Sequence, residues 1–195
     1  MNKDLKLVYS YQKELTLLSQ TISLLNWDQV TYMPPKGVKS RSEQLALLHQ
    51  LLHNKTNSDE LFNALKRLRK FKLSKEDSLM VKKLYKKVLK SRKIPESHVK
   101  ELSRTISLAY TAWEKAREKN NFKIFEPYLE KIIKLKQKEC KLIKEKGHPY
   151  NSLLDYFEEG MTTEKLKPIL ENLKNDLIKL VNKIKRSKKY KKQKK

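Results

Sequence analysis

Glycine is scarce in this chain, with three among 195 residues, and proline adds only six more punctuation points. So few breakers leave room for long uninterrupted helices and argue against a turn-rich β fold. Cysteine is scarcer still. Cys140 stands alone, which excludes an intrachain disulfide and suits a reducing compartment. No apolar run is long enough to cross a bilayer. The opening MNKDLKLVYSYQ places Lys3, Asp4 and Lys6 where a leader would need an apolar stretch. A cytoplasmic protein with no membrane association is expected. Acid is also under-represented: 22 Asp and Glu face 46 Lys and Arg, a formal net charge of +24. Such an excess points to a polyanionic partner, to lysines on outer helix faces, or to a basic surface that meets an acidic one.

What is present is helical periodicity. Leu5, Val8, Leu15, Leu18, Ile22 and Leu25 predict a helix over 3–26. Pro34 and Pro35 then forbid helix. The spacing predicts an ordered corner over 27–37, anchored by Trp27 and capped by Asp28. A second helix over 40–53, capped by Ser40 or Ser42, carries Leu45, Leu48 and Leu52 on one face. Asn57 or Ser58 opens a third, with Leu61 and Leu65. Ser74-Lys75-Glu76-Asp77 reads as a capping box, followed by Met80, Leu84 and Val88. Past Pro95, a seam of Val99, Leu102, Ile106, Ala109, Trp113 and Ala116 predicts packing against another helix. Pro127 fits the first turn of the next helix, which carries Leu129, Ile132, Cys140 and Ile143 and is expected to end at Gly147-His148-Pro149. The last helix shows Leu166, Leu170, Leu173, Leu177, Leu180 and Ile184. The fold class is all-α: antiparallel helices with short connections over 1–184, then a lysine-rich tail over 185–195 without an apolar face, expected to be disordered.

Few residues suggest chemistry. His49 and His53 in HQLLH share a helix face, as in the zinc motif HExxH. However, Gln50 occupies the glutamate position, and an amide cannot serve as general base. His49 also lies within the leucine stripe. These histidines are expected to pack rather than to bind metal. Asp155, Glu158 and Glu159 cluster before Gly160; acids there are more often caps and solvated charges than a catalytic pair. The tail, with Tyr190 as its single aromatic residue, offers weak, salt-sensitive, sequence-blind polyanion affinity.

One stretch is more specific. LLNWDQVTYMPPKG over 24–37, with Trp27, Asp28, Met33, Pro34 and Pro35, resembles the N-terminal signature of the carboxypeptidase Taq family of zinc metallocarboxypeptidases. The resemblance continues in order through Arg41 and Gln44-Leu45-Ala46, Ala112-Trp113 with Ala116-Arg117, and Pro149-Tyr150 with Leu153-Leu154-Asp155. It extends to Gly160-Met161-Thr162 and spans about 24–184. Glu159 and Lys36 depart from it locally, where the family favours proline and a small residue.

The resemblance implies a helical wall beside a long substrate groove, removal of C-terminal residues from peptides, and common homodimerisation. It also implies that the HExxH helix, the third metal ligand and the carboxylate-binding residues lie beyond the matched region. HQLLH falls elsewhere in the pattern. The expectation is an N-terminal, non-catalytic portion without catalytic or metal-binding residues of its own, inactive alone. Zinc, or a similar divalent metal, would be bound by a separate C-terminal half; a truncated remnant is the other history. The competing expectation is a non-enzymatic basic helical protein that binds nucleic acid or another polyanion.

Overall fold

A computed structural model describes residues 2–187. Its described residues form eight α-helices and no strand: α1 (Lys3–Thr31), α2 (Val38–Thr56), α3 (Asp59–Leu68), α4 (Lys75–Ser91), α5 (Glu96–Glu118), α6 (Glu126–Ile143), α7 (Asn151–Phe157) and α8 (Thr163–Arg186). Short 3₁₀ turns at Pro35–Gly37 and Phe122–Ile124 complete the connections. The all-α expectation holds. The chain divides into two compact units, Met1–Ile143 and Lys144–Lys195. The tail expected over 185–195 begins inside α8, and its residues 188–195 lie outside those described.

In the first unit α1 is the spine. At 1.5 Å per residue its 29 residues span roughly 44 Å. Asn2 accepts a hydrogen bond from the Asp4 amide and caps its start. Leu5, Val8 and Leu15 pack with Leu61, Leu65 and Leu68 of α3 and Val81, Leu84 and Val88 of α4. The rings of Phe62 and Tyr85 stack at 5.7 Å beside this core. At the start of α4, Ser74 Oγ accepts from the Asp77 amide at 3.1 Å, as the capping-box sequence predicts. Ser58 is the residue preceding α3, but its hydroxyl pairs with Tyr11 rather than with the helix end.

The other half of the unit is built on α2 and α5, which pack most extensively on one another. The predicted seam of α5 is only partly buried. Ala109 and Ala116 are enclosed, but Ile106 and Trp113 are 47% and 43% exposed. One buried row is His98, Thr105, Ala109, Ala112 and Ala116, rotated roughly 60° from the leucine-guided seam at 100° per residue, and Ser107 is buried on the opposite face. Small and polar side chains carry it, which is why apolar periodicity missed it. Helix α6 also ends earlier than expected. Lys144 adopts the left-handed conformation (φ 51°) directly after Ile143. Lys93 Nζ donates to the Ile143 carbonyl at 2.6 Å, a cation at a helix C-terminus.

In the second unit Asn151 joins two connections. Its amide donates to the Lys146 carbonyl, and its Oδ1 accepts from the Thr163 amide at the start of α8. Thr162 caps the same helix end. No residue of α8 is buried.

Candidate functional site

The corner differs from its sequence reading in a way that explains its residues. Helix α1 does not stop at Trp27 but runs to Thr31. Trp27 and Asp28 are therefore helical, and the turn is confined to 32–37. Prolines constrain only themselves and their predecessors, so Pro34 leaves the helix free to continue until just before Met33. Both Tyr32 and Met33 donate to the Asp28 carbonyl, closing the last turn. Met33 then lies so close to Gly37 that a Cβ there would meet Met33 Cγ at 3.2 Å. Trp27 does not anchor the corner: it is 53% exposed, with its ring edge against Tyr32 at 5.4 Å. Nor do Ser40 and Ser42 cap α2. Both lie within it, after Gly37, and buried Ser42 donates to the Lys39 carbonyl.

The clasp is made instead by Arg41. From the second turn of α2 its guanidinium reaches back to α1, donating to Asp28 Oδ2 and the Leu25 carbonyl, each at 2.5 Å. Its Nε donates to Gln44 Oε1 at 3.0 Å. The Arg41 side chain is only 12% exposed. Asp28, Arg41 and Gln44 thus converge: Arg41 bridges from α2 to α1, and Gln44 holds its guanidinium from within α2. Deeper in the unit, Gln29 makes a reciprocal amide contact with α5. Its Nε2 donates to the Ser107 carbonyl, and its Oε1 accepts from the Ser107 hydroxyl, both at 2.9 Å.

The remaining sequence-selected residues lie apart. Trp113 tilts against Tyr110 at 5.8 Å on the surface, and Arg117 is exposed. In the second unit Leu154 is buried and Tyr150 half-exposed. Asp155 Oδ1 accepts from the Gly160 amide at 2.8 Å, a local cap at a left-handed glycine (φ 81°). Glu158 and Glu159 are exposed. Asp155 is thereby a turn-forming group.

The histidines of α2 face packed surroundings. Burial lowers the pKa of both His49 and His53. His53 engages Asn57 at 2.8 Å and Ser91 at 3.3 Å through its two ring nitrogens. Gln50 and Asn54 both donate to Glu96. A polar cluster invisible to apolar periodicity adjoins them. A cavity of about 180 Å³ is lined by His49, His98, Lys136, Glu139 and an apolar wall including Leu102 and Ile106. His98 is 2% exposed, and neither ring nitrogen has a protein hydrogen-bond partner. Glu139 Oε2 lies 3.7 Å from its Nε2 and accepts from Lys136 at 2.9 Å. The cavity has room for water to serve the imidazole. Among the described residues, no group of three or more His, Cys, Asp or Glu is placed to hold a metal ion. The donor set present does not fit a catalytic metal.

A family model for the carboxypeptidase Taq (M32) metallopeptidases matches residues 7–195. The chain belongs to this M32 family. It is 32% identical over 186 residues to carboxypeptidase 1 of Bacillus subtilis, covering 91% of this chain and 37% of the relative. It is 30% identical over 184 residues to thermostable carboxypeptidase 1 of Pyrococcus furiosus, covering 94% and 37%. The crystal structure of BsuCP superposes with a TM-score of 0.91 at 31% identity, covering 96% of this chain and 38% of that one. This M32 chain thus spans about 37% of the length of these curated relatives and corresponds to their N-terminal portion. In this M32 chain Arg41 joins α2 to Asp28 of α1 and lies against Gln44 of its own helix.

Proposed function

We propose that this chain forms the N-terminal helical wall of an M32 metallocarboxypeptidase that removes C-terminal residues from peptides. A portion outside these 195 residues would bear HExxH and bind zinc or a similar divalent metal. The observation that carries the reading is the asymmetry of the structural match: 96% of this chain superposes on 38% of a solved M32 carboxypeptidase. The metal would supply Lewis-acid chemistry in the complete enzyme. This chain's residues have a different task. Asp28, Arg41 and Gln44 hold the α1–α2 corner, and Gln29 with Ser107 ties α1 to α5. These links preset a wall against which a catalytic portion can assemble.

Helix α8 supplies the assembly surface. Ile169, Leu170, Leu173, Leu177, Leu180, Val181 and Ile184 are each 44–55% exposed. On a helical wheel they cover roughly 120°, wider than the seam one coiled-coil partner would fill. Such a face fits a multi-element surface, and the proposed occupant is the catalytic portion, arranged as a separate C-terminal half.

The test is co-expression with an HExxH-bearing C-terminal portion, followed by copurification and assay of released C-terminal amino acid with and without chelator. The expected result is a stable complex with metal-dependent activity absent from the 195-residue chain. A catalytic portion that is fully active alone and ignores this chain would overturn the reading.

A further inference from the structure

The positive charge of this molecule is not spread evenly. Residues 1–65 contain seven Lys and Arg against six Asp and Glu, close to neutral. Residues 66–93 contain 13 Lys and Arg against only Glu76 and Asp77. A general preference for lysine would load both segments, so the segregation needs a local cause. The structure gives the dense segment a shape: it runs from the end of α3, through the turn at 69–74, along the whole of α4.

The apolar side of α4 is already used. Val81, Leu84 and Val88 are buried in the core with α1 and α3. The solvent side presents lysine, with Leu79 also exposed among the cations and Leu89 at the margin. Lys75, Lys82, Lys83 and Lys87 are exposed along α4, and Lys70 and Lys72 are exposed in the turn before it. Between those two turn lysines stands Phe71, 59% exposed. Some neighbouring cations have structural duties: Arg67 pairs with Asp4, Arg92 with Asp59, and Arg69 lies over the Tyr85 ring. These contacts hold the hairpin in place while the six lysines face solvent.

We propose that the α3–α4 hairpin is a binding surface for single-stranded nucleic acid. The lysines would neutralise successive phosphates, and Phe71 at the tip would stack on an unpaired base. A ring flanked by ammonium groups suits a strand whose bases offer free π faces, and the recognition would be tolerant of sequence. A lipid surface fits less well. An interfacial helix must bury a broad apolar face in the bilayer, and α4 has committed Val81, Leu84 and Val88 to the protein core, leaving Leu79 and Leu89 too few to form such a face among its lysines. This inference stands independently of the peptidase reading.

The experiment uses the full 195-residue chain and a labelled 20-nucleotide oligouridine, followed by fluorescence anisotropy across a salt series. Six neutralised phosphates predict a log K against log salt slope of roughly −4 for a single strand. Changing Lys70, Lys72, Lys75, Lys82, Lys83 and Lys87 to Gln should weaken binding at least about tenfold and flatten the slope. Glutamine resembles lysine in helix propensity, so circular dichroism should be unchanged. Phe71→Ala should weaken binding about fivefold or more with the salt slope kept, and this variant decides the matter should the sixfold variant lose helix. Deleting 188–195 should leave most of the affinity. The proposal is overturned if the sixfold Gln variant binds as the parent does while the deletion abolishes binding. It is also overturned if phosphatidylserine vesicles take up the chain in preference to the oligonucleotide at equal salt. Displacement by polyglutamate as effective as by unlabelled oligouridine would likewise overturn it, in favour of an acidic polypeptide.

Discussion

At the scale of single residues, burial separates groups that the sequence ranks alike. Trp27 and Arg41 both belong to the family-like signature, yet one is half-exposed and the other is enclosed at a helix corner. Arg41→Ala should destabilise the chain by about 2 kcal/mol, because it removes charge-assisted bonds and leaves Asp28 without its partner. Trp27→Ala should cost less than about 1 kcal/mol. Denaturant titration of both variants checks the order, and equal losses would refute the clasp. The α2 histidines give a pH dependence of definite sign. Burial lowers both pKa values in the folded state, so the unfolded chain binds more protons near pH 6. Stability from this source is present above the unfolded histidine pKa of about 6.5 and is lost as pH falls from there toward the lowered folded values. His49→Gln with His53→Gln should flatten that loss in unfolding curves measured between pH 7.5 and 5.5. An unchanged pH slope would show that other groups carry it.

At the scale of elements, apolar spacing was readable where leucine and valine form the core and misleading where small polar residues do. The pattern Leu61–Leu65 and Leu84–Val88 is the packed face of α3 and α4, and Ser74-Lys75-Glu76-Asp77 starts α4 as its sequence says. Helix α5 is the contrary case. Its enclosed row contains His98 and Thr105, residues that hydropathy assigns to the surface. The cavity beside His98 was equally hidden, since His49, His98 and Glu139 come from three helices with no common period. The corner was legible through its two prolines, but the extent of α1 was not, because nothing in Trp27-Asp28 signals whether helix continues. These differences predict unequal responses. Ala112→Leu should destabilise by about 1–3 kcal/mol through overpacking of a nearly buried site. Trp113→Ala, one residue along and exposed, should shift thermal unfolding much less. Comparable melting-temperature losses would place the seam back where the leucine pattern put it.

At the scale of the whole molecule, the distribution of apolar surface decides how folding and assembly can be separated. The first unit has its own core, whereas α8 contributes no buried residue and exposes a wide apolar face. A contiguous face of that kind suits the proposed assembly surface. Its flanks are mainly cationic: Lys167 and Lys174 border one edge, and Lys165 and Lys183 lie along the other beside Asp176, which pairs with Lys179. A partner groove with an acidic rim would therefore be favoured, and a second copy of the same helix disfavoured by like charge. Leu173→Glu with Leu177→Glu puts two carboxylates into the centre of the face. Because both side chains are about half-exposed in this chain, its helicity and unfolding midpoint should change little. Assembly with an HExxH-bearing portion should be lost, since two buried carboxylates without partners cost several kcal/mol. The distinguishing measurement pairs circular dichroism of the variant alone with copurification and chelator-sensitive carboxypeptidase assay of the mixture. Normal folding with lost assembly assigns α8 to the interface. Normal folding with undiminished assembly would move the interface to another surface, and a large loss of helix would show that the α8 face already serves the fold of this chain.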